Sequence, residues 1–250
     1  MFKAWITDFI TGFQFLTRIS IVGQSEWSEE SFSRSVKFFP LVGSIIGLLL
    51  FGFVYGVQYF WGPKAPIHAM VSGVLVLEIF ITGGLHWDGL MDTADGIFSG
   101  RPREQILEIM KDSRVGAFGA MAFSLMLLVK YSLLLDVESM RLPMALLVMP
   151  IVGRCAVVVG IVFFPYARKN GMGRMFFECS HHQTLYVAGI TALLLLAPLG
   201  KIAVGSAATA IFMAVVFGRY VSQKLGGLTG DVYGAIVELA EIVTLAVFLL

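Results

Sequence analysis

The stretch FFPLVGSIIGLLLFGFVYGVQYFW, residues 38–61, decides the fold. It holds no charged residue, and residues 42–59 alone are enough for a helix to cross about 30 Å of hydrocarbon. Lipid offers no partner to a free N–H or C=O, so such a run must satisfy its own backbone as a helix. The whole chain shares this character. Of its 250 residues 57% are hydrophobic and 14% charged, and the mean hydropathy is +0.83. Further apolar runs at 67–85, 117–135, 142–163, 185–199, 202–217 and 235–250 bring the expected spans to about seven. The expectation is an all-α, polytopic helical bundle, a single membrane-embedded domain over residues 1–250. Ahead of it, residues 2–19 place Phe2, Trp5, Ile6, Phe9, Ile10, Phe13 and Leu16 at helical spacing. Lys3, Asp8 and Gln14 fall elsewhere on the wheel, as in an interfacial amphipathic helix. Asp8 and Gln14 interrupt the run and no small-residue cleavage site follows, so it does not read as a signal peptide.

Lysine and arginine set the orientation. Thirteen lie before the first span and in the loops around residues 101–114, 168–174 and 219–224, whereas Lys64, Arg141 and Lys201 are the three on the other side. The positive-inside tendency places the first group in the cytoplasm. A net charge of +1, with no aromatic–basic interleaving, argues against nucleic acid as a partner. Cys155 and Cys179 are too few for a disulfide framework and read as free thiols. His181 and His182 are adjacent, cannot share a helix face, and read as loop residues.

One polar passage interrupts this apolar sequence, GGLHWDGLMDTADGIFSGRPREQILEIMKDSRVGAFG at 83–119. With residues 87–98 helical, Asp88, Asp92 and Asp95 project within about 60° of arc. Three acids in register repel one another and call for a cation, protons or basic partners. Mg²⁺, a hard ion that takes carboxylate, water and phosphate oxygens, is the simplest candidate. A merely solvated acidic face is the plainer reading, but Gly83, Gly84, Gly89 and Gly96 suit it poorly. The later part, residues 101–114, reads as an amphipathic helix with Pro102 in its first turn and Ile106, Leu107, Ile109 and Met110 as its stripe. Arg101, Arg103, Lys111 and Arg114 are candidate phosphate contacts, although juxtamembrane basic residues are ordinarily topological.

Two more polar loops are expected on the same face. The loop PYARKNGMGRMFFECSHHQ, 165–183, contributes Arg168 and follows a span carrying Arg154, whose charge calls for a buried acid or a polar cavity. Lys130 reads as a snorkelling residue. The last loop repeats a pattern: GGLHWD at 83–88 and GGLTGD at 226–231 share GGL-x-x-D, with Asp95 and Glu238 seven residues after each aspartate. Asp231 and Glu238 would then form a second acidic line facing the first. Glu78, Glu238 and Glu241 lie within apolar runs and need partners. Clustered acids with adjacent bases, and no serine–histidine or cysteine–histidine set, point to metal-assisted transfer at a phosphate.

The residues 82–119 closely resemble the signature of the cobalamin synthase family. FLTR at 15–18, FFPLVG at 38–43, PYAR at 165–168 with the following GMG, and LGGLTGDVYGAIVELAE at 225–241 extend the resemblance across the chain in order. The resemblance implies a membrane transferase that joins adenosylcobinamide-GDP to α-ribazole or its 5′-phosphate, releasing GMP, with Mg²⁺ as cofactor. It also implies a site facing the cytoplasm of a prokaryotic inner membrane, in contact with membrane lipid; a homo-oligomer is left open. Asp88, Asp92 and His86 are then the expected catalytic residues, and Asp88, Asp92 and Asp95 the metal ligands. Arg101, Lys111, Asp112, Arg114, Arg154, Arg168, Asp231 and Glu238 are the expected substrate contacts. The sequence departs from the family's usual residues at Trp87 and Met91, away from the acids. A CDP-alcohol phosphotransferase-like lipid enzyme would need DG-x-x-AR, whereas Asp88-Gly89 is followed by LMDTAD. An ion-coupled transporter would use Glu78, Arg154, Glu238 and Glu241 as an ion path.

Overall fold

The structure, a computed structural model, describes residues 2–23, 28–169, 171–178 and 182–250. Cys179 and His181 lie outside them. Twelve α-helices occur among the described residues: α1 (Phe2–Leu16), α2 (Glu29–Ser35), α3 (Phe39–Trp61), α4 (Ile67–Thr82), α5 (Leu85–Phe98), α6 (Arg103–Ile109), α7 (Ala117–Asp136), α8 (Leu142–Phe163), α9 (Met172–Glu178), α10 (His182–Leu196), α11 (Lys201–Leu225) and α12 (Gly230–Val247). The only β-type pairing described is an isolated parallel bridge between Tyr166 and Leu228.

Each expected span falls on a helix, but length and hydropathy together qualify fewer than seven. Four helical segments pass (residues 29–61, α7, α8 and α11), or five when α4 and α5 count as one span broken by a 90° bend. The apolar helix after residue 182 is shorter, and α12 carries Asp231, Glu238 and Glu241. The sixth span also runs beyond the expected 202–217. α11 continues through Arg219 and Lys224 to Leu225, where Gly226 closes it in the left-handed conformation.

The bundle is centred on α8, which from Leu142 to Ile161 is buried except at the partly buried Met144 and Leu147. Its tightest neighbour is α3. A Cβ added to Gly43 would stand 2.5 Å from the Pro150 carbonyl oxygen, and one added to Gly47 2.3 Å from that of Leu147. Small residues one turn apart let the two backbones meet, the usual substitute for hydrophobic force inside a membrane.

The N-terminal helix packs differently from the expectation. Asp8 does not face away from the protein: it is 1% exposed and accepts from Arg34 Nε at 3.2 Å and Lys37 Nζ at 3.1 Å. Its hydrophilicity is spent on docking α1 against the segment that leads into α3. Ser28 caps α2 by accepting the Ser31 N–H, the role expected of a serine before a short helix. Meanwhile Trp5 and Ile6 remain about half exposed, at 48% and 44%, as a membrane-surface helix requires.

Candidate active site

The broken span begins with two glycines. Gly83 (φ +65°) caps α4 and Gly84 (φ +70°) starts α5, both left-handed, a conformation costly for any residue with a Cβ. The chain turns 90° there. The bend puts Asp88 in the first turn of α5 and breaks the register with Glu78 on α4. The other GGL-x-x-D segment does the same job. Gly226 is left-handed, Thr229 caps α12 by accepting the Val232 N–H, and Asp231 occupies the first turn. Both aspartates sit where the helix dipole favours negative charge.

The two turns meet. A Cβ on Gly89 would lie 2.6 Å from the Asp231 carbonyl oxygen, and one on Gly234 2.9 Å from that of His86. Asp92 lies within electrostatic reach of Asp231, Asp88 and Arg168, and Asp231 within reach of Asp88. Arg168 donates to Asp231 Oδ2 at 2.7 Å. Replacing Gly89 by Ala should therefore separate α5 from α12, because the obstructing atoms are backbone and cannot rotate aside. The expected loss of turnover is on the order of a hundredfold. An activity assay checks it, with Gly52→Ala as the control that has nothing within 4 Å of the new methyl.

The loops converge through named bonds. Leu228 N–H donates to the Pro165 carbonyl and Ala167 N–H to that of Leu228, both at 2.8 Å. Arg103 donates to the Leu225 carbonyl at 2.6 Å and the Ala167 carbonyl at 2.9 Å, and Arg168 also reaches the Met110 carbonyl. Arg103 is thus a clamp for the loops. α6 is shorter than the helix expected over residues 101–114, running from Arg103 to Ile109 between Pro102 and Met110, but Ile106 and Met110 of the expected stripe are buried against Gly96 of α5. Half-burial raises the Tyr166 phenol above its usual range, against the pull of Arg168.

Not every expected residue arrives at this site. Asp88 is exposed and Asp92 and Asp231 half-buried, open to a ligand. Asp95 is turned to α7, where Oδ2 accepts the Gly116 N–H and Oδ1 the Gly119 N–H, each at 2.8 Å. It caps that helix. Arg101 and Lys111 are exposed near the loops, while Arg114 is paired with Asp112 at 2.5 Å, which holds the Asp112 carboxyl down at about 2.

Arg154 and Glu238, expected to touch substrate, are instead enclosed in an ion network. Lys130 Nζ donates to Glu78 at 2.9 Å, Glu238 at 3.1 Å and Glu241 at 2.6 Å, and Arg154 Nη1 to Glu241 at 2.5 Å. All are between 0% and 3% exposed. The snorkelling reading of Lys130 is overturned: its partners come from α4 and α12, and a single sequence gives no sign of them. The network reaches α5 where Arg154 Nη2 lies 3.3 Å from His86 Nδ1. A guanidinium only donates, so Nδ1 accepts and the ring proton is placed on Nε2.

Asp88, Asp92 and Asp231 bring carboxylate oxygens, the donors a hard cation takes, to the meeting of α5 and α12, though not all within 4.8 Å of one another. Among the described residues the glutamates are the three acids whose ligand atoms lie within 4.8 Å of one another, but Lys130 already occupies their centre.

Comparison with known proteins bears on this geometry. Residues 8–249 match the cobalamin-5-phosphate synthase family. The chain belongs to that family. Among its cobalamin-5-phosphate synthase relatives, a protein of Desulfitobacterium hafniense (strain Y51) named adenosylcobinamide-GDP ribazoletransferase is 39% identical over 98% of this chain and 95% of its own. Proteins of the same name from Roseiflexus sp. (strain RS-1) and Clostridium botulinum (strain 657 / Type Ba4) are 38% and 36% identical, over 93% and 99% of this chain and 85% and 99% of theirs. No solved structure matches. The chain is accordingly a membrane-protein member of a family of transferases of cobalamin biosynthesis.

Proposed function

We propose that this chain joins adenosylcobinamide-GDP to α-ribazole or its 5′-phosphate and releases GMP, with Mg²⁺ as cofactor. The observation that carries the reading is the meeting of the two GGL-x-x-D turns, which gathers Asp88, Asp92, Asp231 and Arg168. A hydroxyl of the acceptor's ribose forms a bond to the phosphorus nearer the cobinamide. The bond from that phosphorus to the bridging oxygen breaks, and GMP leaves with the oxygen and its electron pair while the hydroxyl proton passes to water or a base. Mg²⁺ held by Asp88 and Asp92, with Asp231 beside them, would neutralise the diphosphate's charge. Arg168 stands where it can bind a phosphate oxygen, and Arg101 and Lys111 draw the anionic substrate toward the loops. His86 bears its proton on Nε2 and acts as a donor.

The site faces the cytoplasm of a prokaryotic inner membrane, on the side carrying thirteen of the basic residues. The transporter alternative is the weaker reading, because Glu78, Glu238 and Glu241 pair with Lys130, and Arg154 pairs with Glu241. The test is GMP release by purified protein in nanodiscs given both substrates, with and without Mg²⁺. Release that requires both substrates and the metal supports the reading; substrate transport into vesicles without GMP release overturns it.

A further inference from the structure

Arg18 follows α1 in a segment that is tied down on both sides. Gln14 Oε1 accepts the Ile21 and Val22 N–H groups at 2.8 and 2.9 Å, and the Arg18 N–H donates to the Ile81 carbonyl at 2.7 Å. The side chain then lies across the turn between α4 and α5. A Cβ on Gly83 would stand 1.9 Å from Arg18 Nε, so the missing side chain of the hinge glycine is the room that Arg18 fills. Its guanidinium is exposed and forms no ion pair or hydrogen bond among the described residues, which leaves a rigid fork of donors open to a ligand. Arg18 lines a cavity of about 690 Å³, within the roughly 300–1,000 Å³ of small-molecule sites. It is the one charged residue among the described residues of that lining, and no carboxylate shares the cavity with it. A second cavity, lined by His86, Asp88 and Asp231, adjoins the first, with Phe15 and Leu85 as walls of both.

We propose that Arg18 binds the 5′-phosphate of the acceptor and so makes α-ribazole 5′-phosphate a better acceptor than α-ribazole. The inference rests on the transferase reading above. In that reaction the diphosphate of the other substrate is neutralised at the aspartates, whereas the 5′-phosphate takes no part in the transfer and finds no counter-charge there. A cation without a carboxylate beside it suits such a group directly, because a guanidinium fork matches two phosphate oxygens at once. The shared wall of the two cavities lets one acceptor hold its phosphate at Arg18 while its ribose hydroxyl reaches the acids. An arginine that served topology alone would need no cradle at Gly83.

The test measures KM for each substrate by GMP release, with the full chain in nanodiscs and α-ribazole as the acceptor that lacks the phosphate. Arg18→Gln should raise KM for α-ribazole 5′-phosphate roughly tenfold, the worth of a hydrogen bond to a charged group, and bring it toward that for α-ribazole. KM for adenosylcobinamide-GDP should stay as it is. Arg18→Lys, which keeps the charge but not the fork, should recover part of the loss. Ser20→Asp sets an acid two residues from Arg18 on the same lining and should raise KM for the phosphorylated acceptor in the same way. Should Arg18→Gln not fold, Ser20→Asp decides, since Ser20 is exposed. A side chain that only packs on Gly83 predicts instead a fall in turnover shared by both acceptors with their KM ratio unchanged, and that result would overturn the proposal while leaving the transferase reading intact. So would a rise confined to KM for adenosylcobinamide-GDP. Wild-type protein that releases no GMP with either acceptor would overturn both.

Discussion

Asp88→Asn is expected to abolish GMP release while the protein still folds and inserts. Asp88 is exposed in the first turn of α5, so loss of its charge costs the bundle little. Asparagine keeps the shape of the side chain and removes the charge that a hard cation requires. Losing a few kcal/mol of charge stabilisation at the diphosphate lowers turnover on the order of a thousandfold. Asp92→Asn should behave similarly, being half-buried among Asp88, Asp231 and Arg168. Asp95→Ala should differ in kind, because its oxygens hold the Gly116 and Gly119 amides. Near-normal turnover in Asp88→Asn, measured as GMP release on monodisperse protein, would remove that acid from the metal site.

Lys130→Met is the second large effect, and it falls on folding. Lys130 is the common partner of Glu78, Glu238 and Glu241, and none of the four is more than 3% exposed. Removing one member of a buried ion cluster leaves charge uncompensated at a cost of about 3–5 kcal/mol. The yield of monodisperse protein in detergent and its Tm should both fall sharply. The cluster's charge supplies the control. Three acidic side chains share two cations, Lys130 and Arg154. Lys130→Met removes one of the cations, and adding Glu238→Gln removes one of its acidic partners, so the double variant should regain much of the lost yield. A Lys130→Met protein as stable as the wild type would contradict the structural role given to the network.

The sequence made the helices legible because apolar runs in a membrane protein have only one backbone solution. The bend between α4 and α5 was not legible: the expected span at 67–85 runs through Gly83 and Gly84, and paired glycines permit a bend without dictating one. The meeting of Asp88 and Asp231 was legible through the repeated GGL-x-x-D. What stayed hidden depended on partners distant in the chain. Lys130 looks like any lysine in an apolar run, and Asp8 like the polar face of an amphipathic helix, until helices remote in sequence supply their counter-charges. Arg154 and Glu238 were recognised as buried charges needing partners, but the substrate was named where the protein itself supplied them.

If the two acidic turns act as one site, Asp231→Asn changes the Mg²⁺ dependence of GMP release. Asp231 lies opposite Gly89 and within reach of Asp88, so removing its charge weakens the field that holds the cation. The account predicts a higher Mg²⁺ concentration for half-maximal release and a lower turnover at saturating substrates. A Mg²⁺ curve and turnover indistinguishable from the wild type would contradict it.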